Sequence, residues 1–185
     1  MTSEADLDDQ LIVDQVLGGR KEIFRLLVQR HQKPVYSMGL SFFRNKEDAA
    51  DFVQEVFLKA FQNLPRFERK ARFSTWLYRI AYNTALNGVR RNKEYLSLAE
   101  NAELPDLDTP EKNTLKTLSR EAVREAIKEL PERFRICVDL YFFYDRSYQE
   151  IEVITGYSIN TVKSHVFRAK KLLRENLENQ GFAEG

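Results

Sequence analysis

The sequence predicts an all-α protein: two small helical domains joined by a flexible acidic linker, the C-terminal one containing a helix-turn-helix. Three observations predict it. Apolar residues recur at three and four positions along most of the 185 residues, and no stretch shows the two-residue alternation of a strand. With 7 Gly and 5 Pro, the chain has few of the residues that a turn-rich β architecture needs. Residues 96–113 break the helical pattern, hold two prolines, and carry 1 Lys/Arg against 5 Asp/Glu.

The elements follow in order. Apolar residues Leu11, Ile12, Val16, Ile23, Phe24 and Leu27 mark two helical pieces, divided at Gly18 and Gly19. Pro34 is expected to open the next helix, through Val35, Met38 and Phe42. Ala50, Val53, Phe57, Ala60 and Leu64 form the expected inner stripe of a helix from Glu47 to Leu64, which Pro65 ends. A basic loop, R-F-E-R-K-A-R-F, leads to a helix capped by Ser74 and running to about Arg91, with Leu77, Ile80, Ala81, Thr84, Ala85 and Val89 inward. Trp76 is assigned to the core. Beyond the linker, Leu115, Leu118, Ala122, Ala126, Ile127 and Leu130 line a helix from about Thr114 that Pro131 stops. The next helix is expected to bury Phe134, Cys137, Val138 and Tyr141.

The last stretch, residues 147–174, reads as two helices around a tight turn. Ser147 and Glu150 are spaced as a capping box, Gly156 permits the left-handed turn, and Ser158 can cap the second helix. Val162, Val166, Ala169 and Leu173 form its buried stripe. The opposite face presents Asn160, Thr161, Lys163, Ser164, Phe167, Arg168 and Lys171, and no acidic residue occurs from Ser158 to Arg174. Polar and basic side chains here suit base edges and phosphates, and Phe167 suits a thymine methyl. A solvated basic helix closing a bundle is the plainer alternative. The concurrence of capping box, glycine and acid-free face favours DNA.

Residues 64–93 carry eight basic residues and one acid, Glu68. Arg79, Asn83, Asn87 and Arg90 share one side of their helix, and Arg66, Arg69, Lys70 and Arg72 occupy the preceding loop. Tyr78, Tyr82, Phe67 and Phe73 stand among them. Cations with interleaved rings suit single-stranded DNA, where rings accept unstacked bases. On the helix from Glu47 to Leu64, Asp51 and Glu55 form an outward acidic pair one turn apart.

Four segments in this order and spacing carry a family resemblance: E-D-A-A-D-F-V-Q-E-V-F-L-K-A-F at 47–61, F-S-T-W-L-Y-R-I-A-Y-N-T-A-L-N-G-V-R-R at 73–91, S-Y-Q-E-I at 147–151 and T-V-K-S-H-V-F-R-A at 161–169. Over residues 8–178 the chain closely resembles the extracytoplasmic-function (ECF) sigma factors of bacterial RNA polymerase. The resemblance implies a cytoplasmic initiation factor, not an enzyme, that binds core RNA polymerase and promoter DNA under the control of an anti-sigma factor. By resemblance, residues 1–95 bind polymerase and recognise and melt the minus-ten element, 96–113 are a linker, and 114–185 read the minus-thirty-five element. Asp51, Gln54 and Glu55 would dock against the polymerase clamp. The 66–72 loop and Asn83 would capture an extruded base. The loop departs from the family's glycine-acid-small pattern, Glu152 stands where a small residue is usual, and His165 replaces a frequent arginine. His165 is expected to be solvated or near a phosphate, and Cys137 to be a buried small hydrophobe.

A DNA-binding regulator is the rival, since T-V-K-S-H-V also occurs in response regulators; the βα receiver such a protein needs is not legible. An enzyme would need a phosphate-binding glycine loop, a triad or a metal set, and none is legible. No cofactor or metal is expected. Cys137 stands alone, so no intramolecular disulfide forms. The acidic N-terminus has no secretory pattern, and no apolar run approaches the roughly 20 residues of a membrane span.

Overall fold

A computed structural model describes residues 8–98, 122–123 and 125–179. All regular structure among them is helical. The chain divides into two compact units, Met1–Leu107 and Asp108–Gly185.

In the first unit, α1 (Asp9–Leu17) buries Ile12, Val13 and Val16 and leaves Leu11 half exposed. It ends at Gly18 and Gly19, as expected, and a 3-10 turn over Lys21–Ile23 leads into α2 (Phe24–Phe43). Pro34 does not open a helix; it lies inside α2. An interior proline costs about 3 kcal/mol through its missing N–H and the clash with the preceding turn. Leu26 and Leu27 before it, and Val35 and Met38 after it, are all buried. Each such side chain contributes about 1.5–3 kcal/mol, so burial outweighs the break.

Arg44 takes a left-handed φ of 58° at the end of α2, and Asn45 caps α3 (Lys46–Asn63) by accepting the Asp48 N–H at 2.7 Å. This short connection folds α3 back along α2. Gly39 makes the close approach possible: a Cβ there would stand 2.8 Å from the Phe52 ring and 3.1 Å from the Ala49 backbone. The buried stripe of α3 is accordingly Ala49, Phe52, Val56, Phe57 and Ala60. The expected stripe is thus corrected: Ala50 is exposed and Val53 half-buried.

After a 3-10 turn at Leu64–Arg66, α4 (Phe73–Leu98) packs on both α2 and α3. Leu77, Tyr78, Ala81, Tyr82 and Ala85 are buried on it, while Ile80 and Val89 are only half-buried. Ser74 lies inside its first turn instead of capping it, and the Trp76 N–H bonds to the Arg72 carbonyl at 3.1 Å. The helix runs seven residues past Arg91, so the first residues of the expected 96–113 linker are helical. The rest of that linker and the start of the helix expected from Thr114 lie outside the described residues.

In the second unit, helical residues at 125–129 precede α5 (Glu132–Val138), which continues through a π-helical turn, Asp139–Phe143, into a loop. Helices α6 (Tyr148–Thr155) and α7 (Ile159–Asn179) complete it. Leu130, Phe134, Val138 and Ala169 form its core, with Leu173 packed against them. Tyr141, expected inside, is only half-buried.

Candidate nucleic-acid interface

The turn between α6 and α7 is built almost wholly from local hydrogen bonds. The capping box is present: the Glu150 N–H donates to Ser147 Oγ at 3.2 Å, and the Ser147 N–H donates to Glu150 Oε2 at 3.0 Å. Gly156 ends α6 with φ 76°, its N–H bonded to the Glu152 carbonyl at 2.8 Å. Ser158 Oγ accepts the Thr161 N–H at 3.3 Å. A further cap comes from across the turn: Glu152 Oε1 accepts the Ile159 N–H at 3.0 Å. A long carboxylate on the first helix thus ties it to the start of the second.

The inner face of α7 is Val162, Val166 and Ala169. Asn160, Lys163, Arg168 and Lys171 are exposed, Thr161 and Ser164 are half-buried, and Phe167 is 71% exposed. A single exposed ring is ordinary on a protein surface and does not by itself mark a contact. His165 is half-buried rather than fully solvated. Its ring packs on Phe134 and Tyr157, each with centroids 5.1 Å away, and Nδ1 lies 3.8 Å from Cys137 Sγ. Burial, then the nearby charges of Arg133 and Arg168, hold its pKa below the ordinary value. Cys137 is fully buried, and burial pushes its thiol up to about 12. That favours the inert thiol, as expected of a small hydrophobe.

On α4, Arg79, Asn83, Asn87 and Arg90 are all exposed, on the side away from the bundle. Arg79 and Asn83 join Arg66, Asn63, Trp76 and Ile80 around an open pocket of about 260 Å³. The rings were expected to serve as stacking platforms, and this is corrected. Tyr78 and Tyr82 are 4% and 3% exposed, and Phe67 and Phe73 are buried as well. Phe67 and Phe73 clamp the two ends of the loop: Phe67 lies 5.0 Å from Trp76, Phe73 lies 5.7 Å from it, and the two phenylalanines are 6.0 Å apart. Trp76 is only half-buried, so it is the aromatic that lines the pocket. At the loop tip, Lys70 pairs with Glu68 at 2.6 Å, Arg69 pairs with Asp14, and Arg72 is exposed.

On α3, Asp51 and Gln54 are exposed on the face opposite the buried stripe. Glu55 is half-buried and already shared, by Lys59 at 2.7 Å and Arg91 at 3.8 Å. Leu58 stands on the same face and is 58% exposed.

Two family matches divide the chain where its units divide. Sigma-70 region 2 matches residues 27–95, and Sigma-70 region 4 matches residues 120–173. The chain is 36% identical to the ECF RNA polymerase sigma-E factor of Haemophilus influenzae, covering 93% of this chain and 96% of that one. This chain belongs to the ECF sigma factors. It is also 34% identical to the RNA polymerase sigma-H factor of Pseudomonas aeruginosa, over 92% of this chain and 94% of that one. The fold of this sigma factor is similar to CnrH, solved in complex with the cytosolic domain of CnrY, with a TM-score of 0.70 at 23% identity over 92% of this chain and 97% of that one. RpoE of Bartonella quintana, solved with the anti-sigma factor NepR, gives 0.70 at 22% identity over 84% and 96%.

Sigma factors are initiation factors rather than enzymes: this one binds core RNA polymerase and directs it to promoters. Among its described residues no helix is long and apolar enough to cross a membrane. Sequence reasoning about the sigma factor's faces missed three features. Leu58 is a lone apolar residue among charges, which its helix-face position alone could have marked. Asn63 reaches the pocket only because α3 and α4 are adjacent, whereas Ile80 shares a face of α4 with Trp76 and Asn83. Glu152 was noticed as a departure from the family, but its bond to Ile159 needs the turn geometry.

Proposed function

We propose that this sigma factor reads its promoter at two points, with residues 1–95 opening the minus-ten element and residues 114–185 holding the minus-thirty-five element. Asp51, Gln54 and Glu55, with Leu58 beside them, dock on core polymerase. Arg66, Arg69, Lys70, Arg72, Arg79, Asn83, Asn87 and Arg90 serve the melted strand. Asn160, Thr161, Lys163, Ser164, Phe167, Arg168 and Lys171 serve the duplex. The observation that carries this reading is the pocket in which Arg66, Arg79 and Asn83 converge beside Trp76. Its volume lies below the range of about 300–1,000 Å³ of whole-ligand sites. It combines cations for a phosphate, an amide for a base edge and an aromatic ring for a base face. An already unpaired base costs at most a few kcal/mol to capture, so one amide suffices to choose it.

Each basic face is small, and free duplex is bound weakly. Polymerase fixes the spacing of the two faces and turns two weak contacts into one strong one. The protein works in the cytoplasm, where polymerase and promoter are. Its second protein partner is an anti-sigma factor; the similar fold of Bartonella quintana RpoE is seen bound to one.

The test is run-off transcription with purified core polymerase on a matched promoter library. Initiation rises when the wild-type chain is added. Asn83→Ala lowers strand opening at the minus-ten element more than duplex binding at the minus-thirty-five element. Equal loss at both elements removes the role of the pocket, and initiation indifferent to the chain removes the whole reading.

A further inference from the structure

The tip of the 66–72 loop is tied to α1, whose side chains have no assigned part in reading the promoter. Asp14, on α1, accepts from the guanidinium of Arg69, 55 positions further along. Arg69 also has the left-handed φ of 59°, a conformation that favours glycine and that a side chain bearing a Cβ keeps only when its surroundings over-determine it. The loop's other ion pair, Glu68 with Lys70, stays inside the loop and says nothing about where the tip sits. The bond to Asp14 refers the tip to the bundle.

The platform for that bond is firm. Ile12, Val13 and Val16 of α1 are buried. Asp9 accepts from Arg30 at 2.9 Å and meets His31 Nε2 at 2.7 Å, pinning the start of α1 to α2. Helix α1 also packs on the Leu64–Arg66 turn that leads into the loop. Arg66, at the end of that turn, lines the pocket.

We infer that Asp14 is a positioning residue for base capture: by holding Arg69, it fixes the tip of the loop whose first residue, Arg66, lines the pocket, and so sharpens the choice of base at the minus-ten element. This rests on the minus-ten reading of the pocket. Arg69 then serves the melted strand by way of the tip's placement, its guanidinium held by Asp14.

The test uses the full chain with core polymerase on four promoters that differ only at the captured base. Opening is followed by permanganate reactivity of melted thymines, and duplex affinity and thermal unfolding are measured alongside. Asp14→Ala is expected to reduce the preference between the best and the next base by about fivefold, the upper size of one exposed ion pair. Duplex affinity stays as in the wild type, and the unfolding temperature falls by no more than the roughly 4–8 °C that about 1 kcal/mol costs a domain of this size. The exchange of Asp14→Arg with Arg69→Asp restores the pair, and with it most of the preference; aspartate also tolerates the left-handed backbone. Wild-type preference in Asp14→Ala, beside an Asn83→Ala that still impairs opening, overturns the tether and spares the pocket. Stronger opening in Asp14→Ala overturns it too, because Asp14 would then only compete with DNA for Arg69. If Asp14→Ala and Asn83→Ala are both silent, the minus-ten reading itself falls.

Discussion

The Glu152 carboxylate accepts the Ile159 N–H at 3.0 Å, so the first helix of the pair caps the second across the Gly156 turn. The first N–H groups of a helix have no intrahelical partner, and a carboxylate there also meets the positive end of the helix dipole. Glu152→Ala should therefore destabilise the C-terminal unit by about 1 kcal/mol. That corresponds to a melting point lower by roughly 4–8 °C for a domain of this size. Glu152→Gln, which keeps an acceptor, should lose less. Calorimetry on the three proteins checks this, and an unchanged melting point for Glu152→Ala removes the cap from the account.

The exposed face of α7 separates charge from shape. Lys163→Ala and Arg168→Ala should each weaken binding to a minus-thirty-five duplex and lower the slope of log affinity against log salt by about 1. Phe167→Ala should weaken binding with the slope unchanged, since a ring against a thymine methyl releases no counterion. Titrations at several salt concentrations, with polymerase present, read both quantities. A slope that none of the three alters would move the DNA face elsewhere.

On α3 the two acids are not equivalent. Asp51 is exposed, whereas Glu55 is shared by Lys59 and Arg91. Asp51→Arg should raise the Kd for core polymerase by about tenfold or more, the size of an interface hot spot. Glu55→Gln should raise it by only about threefold, since its charge is already partly neutralised where it stands. Fluorescence anisotropy of the labelled chain distinguishes them, and equal losses would mean that the Glu55 ion pairs open on docking.

His165 makes the C-terminal unit sensitive to acid. Its folded pKa lies below the model-peptide value of about 6.5. The unfolded chain therefore takes up the proton first as pH falls. Stability present above pH 6.5 is lost progressively below it, until the folded pKa is passed. His165→Phe, which keeps a ring between Phe134 and Tyr157, should flatten stability between pH 7 and pH 5. Denaturant melts at several pH values test this, and identical slopes in both proteins would exclude His165 as the group.

Helix content and the two-unit plan were legible because a 3.6-residue period survives any tertiary context. The face of α3 was not. Ala50, Val53 and Phe57 are spaced as well as Ala49, Phe52 and Val56, and one residue of rotation separates them. What decides is Gly39 on α2, which makes room for Phe52. The tyrosines failed for a related reason. Tyr78 adjoins Arg79 and Tyr82 adjoins Asn83 in sequence, but neighbours on a helix stand about 100° apart, so the polar face of α4 and its buried tyrosines lie on different sides. The helix-turn-helix read truly because its signals, Ser147, Glu150 and Gly156, act within a few residues of themselves.

The clamping of the 66–72 loop has an evolutionary corollary. Phe67 and Phe73 are both sunk against Trp76, so whatever lies between them is held at both ends by the same apolar anchor. The five positions between them, 68–72, can then vary while both ends stay anchored, with Arg69 also tied back to α1 through Asp14. If the loop selects the minus-ten base as proposed, a handful of substitutions there changes which promoters are opened, while the bundle that carries the loop stays as it is.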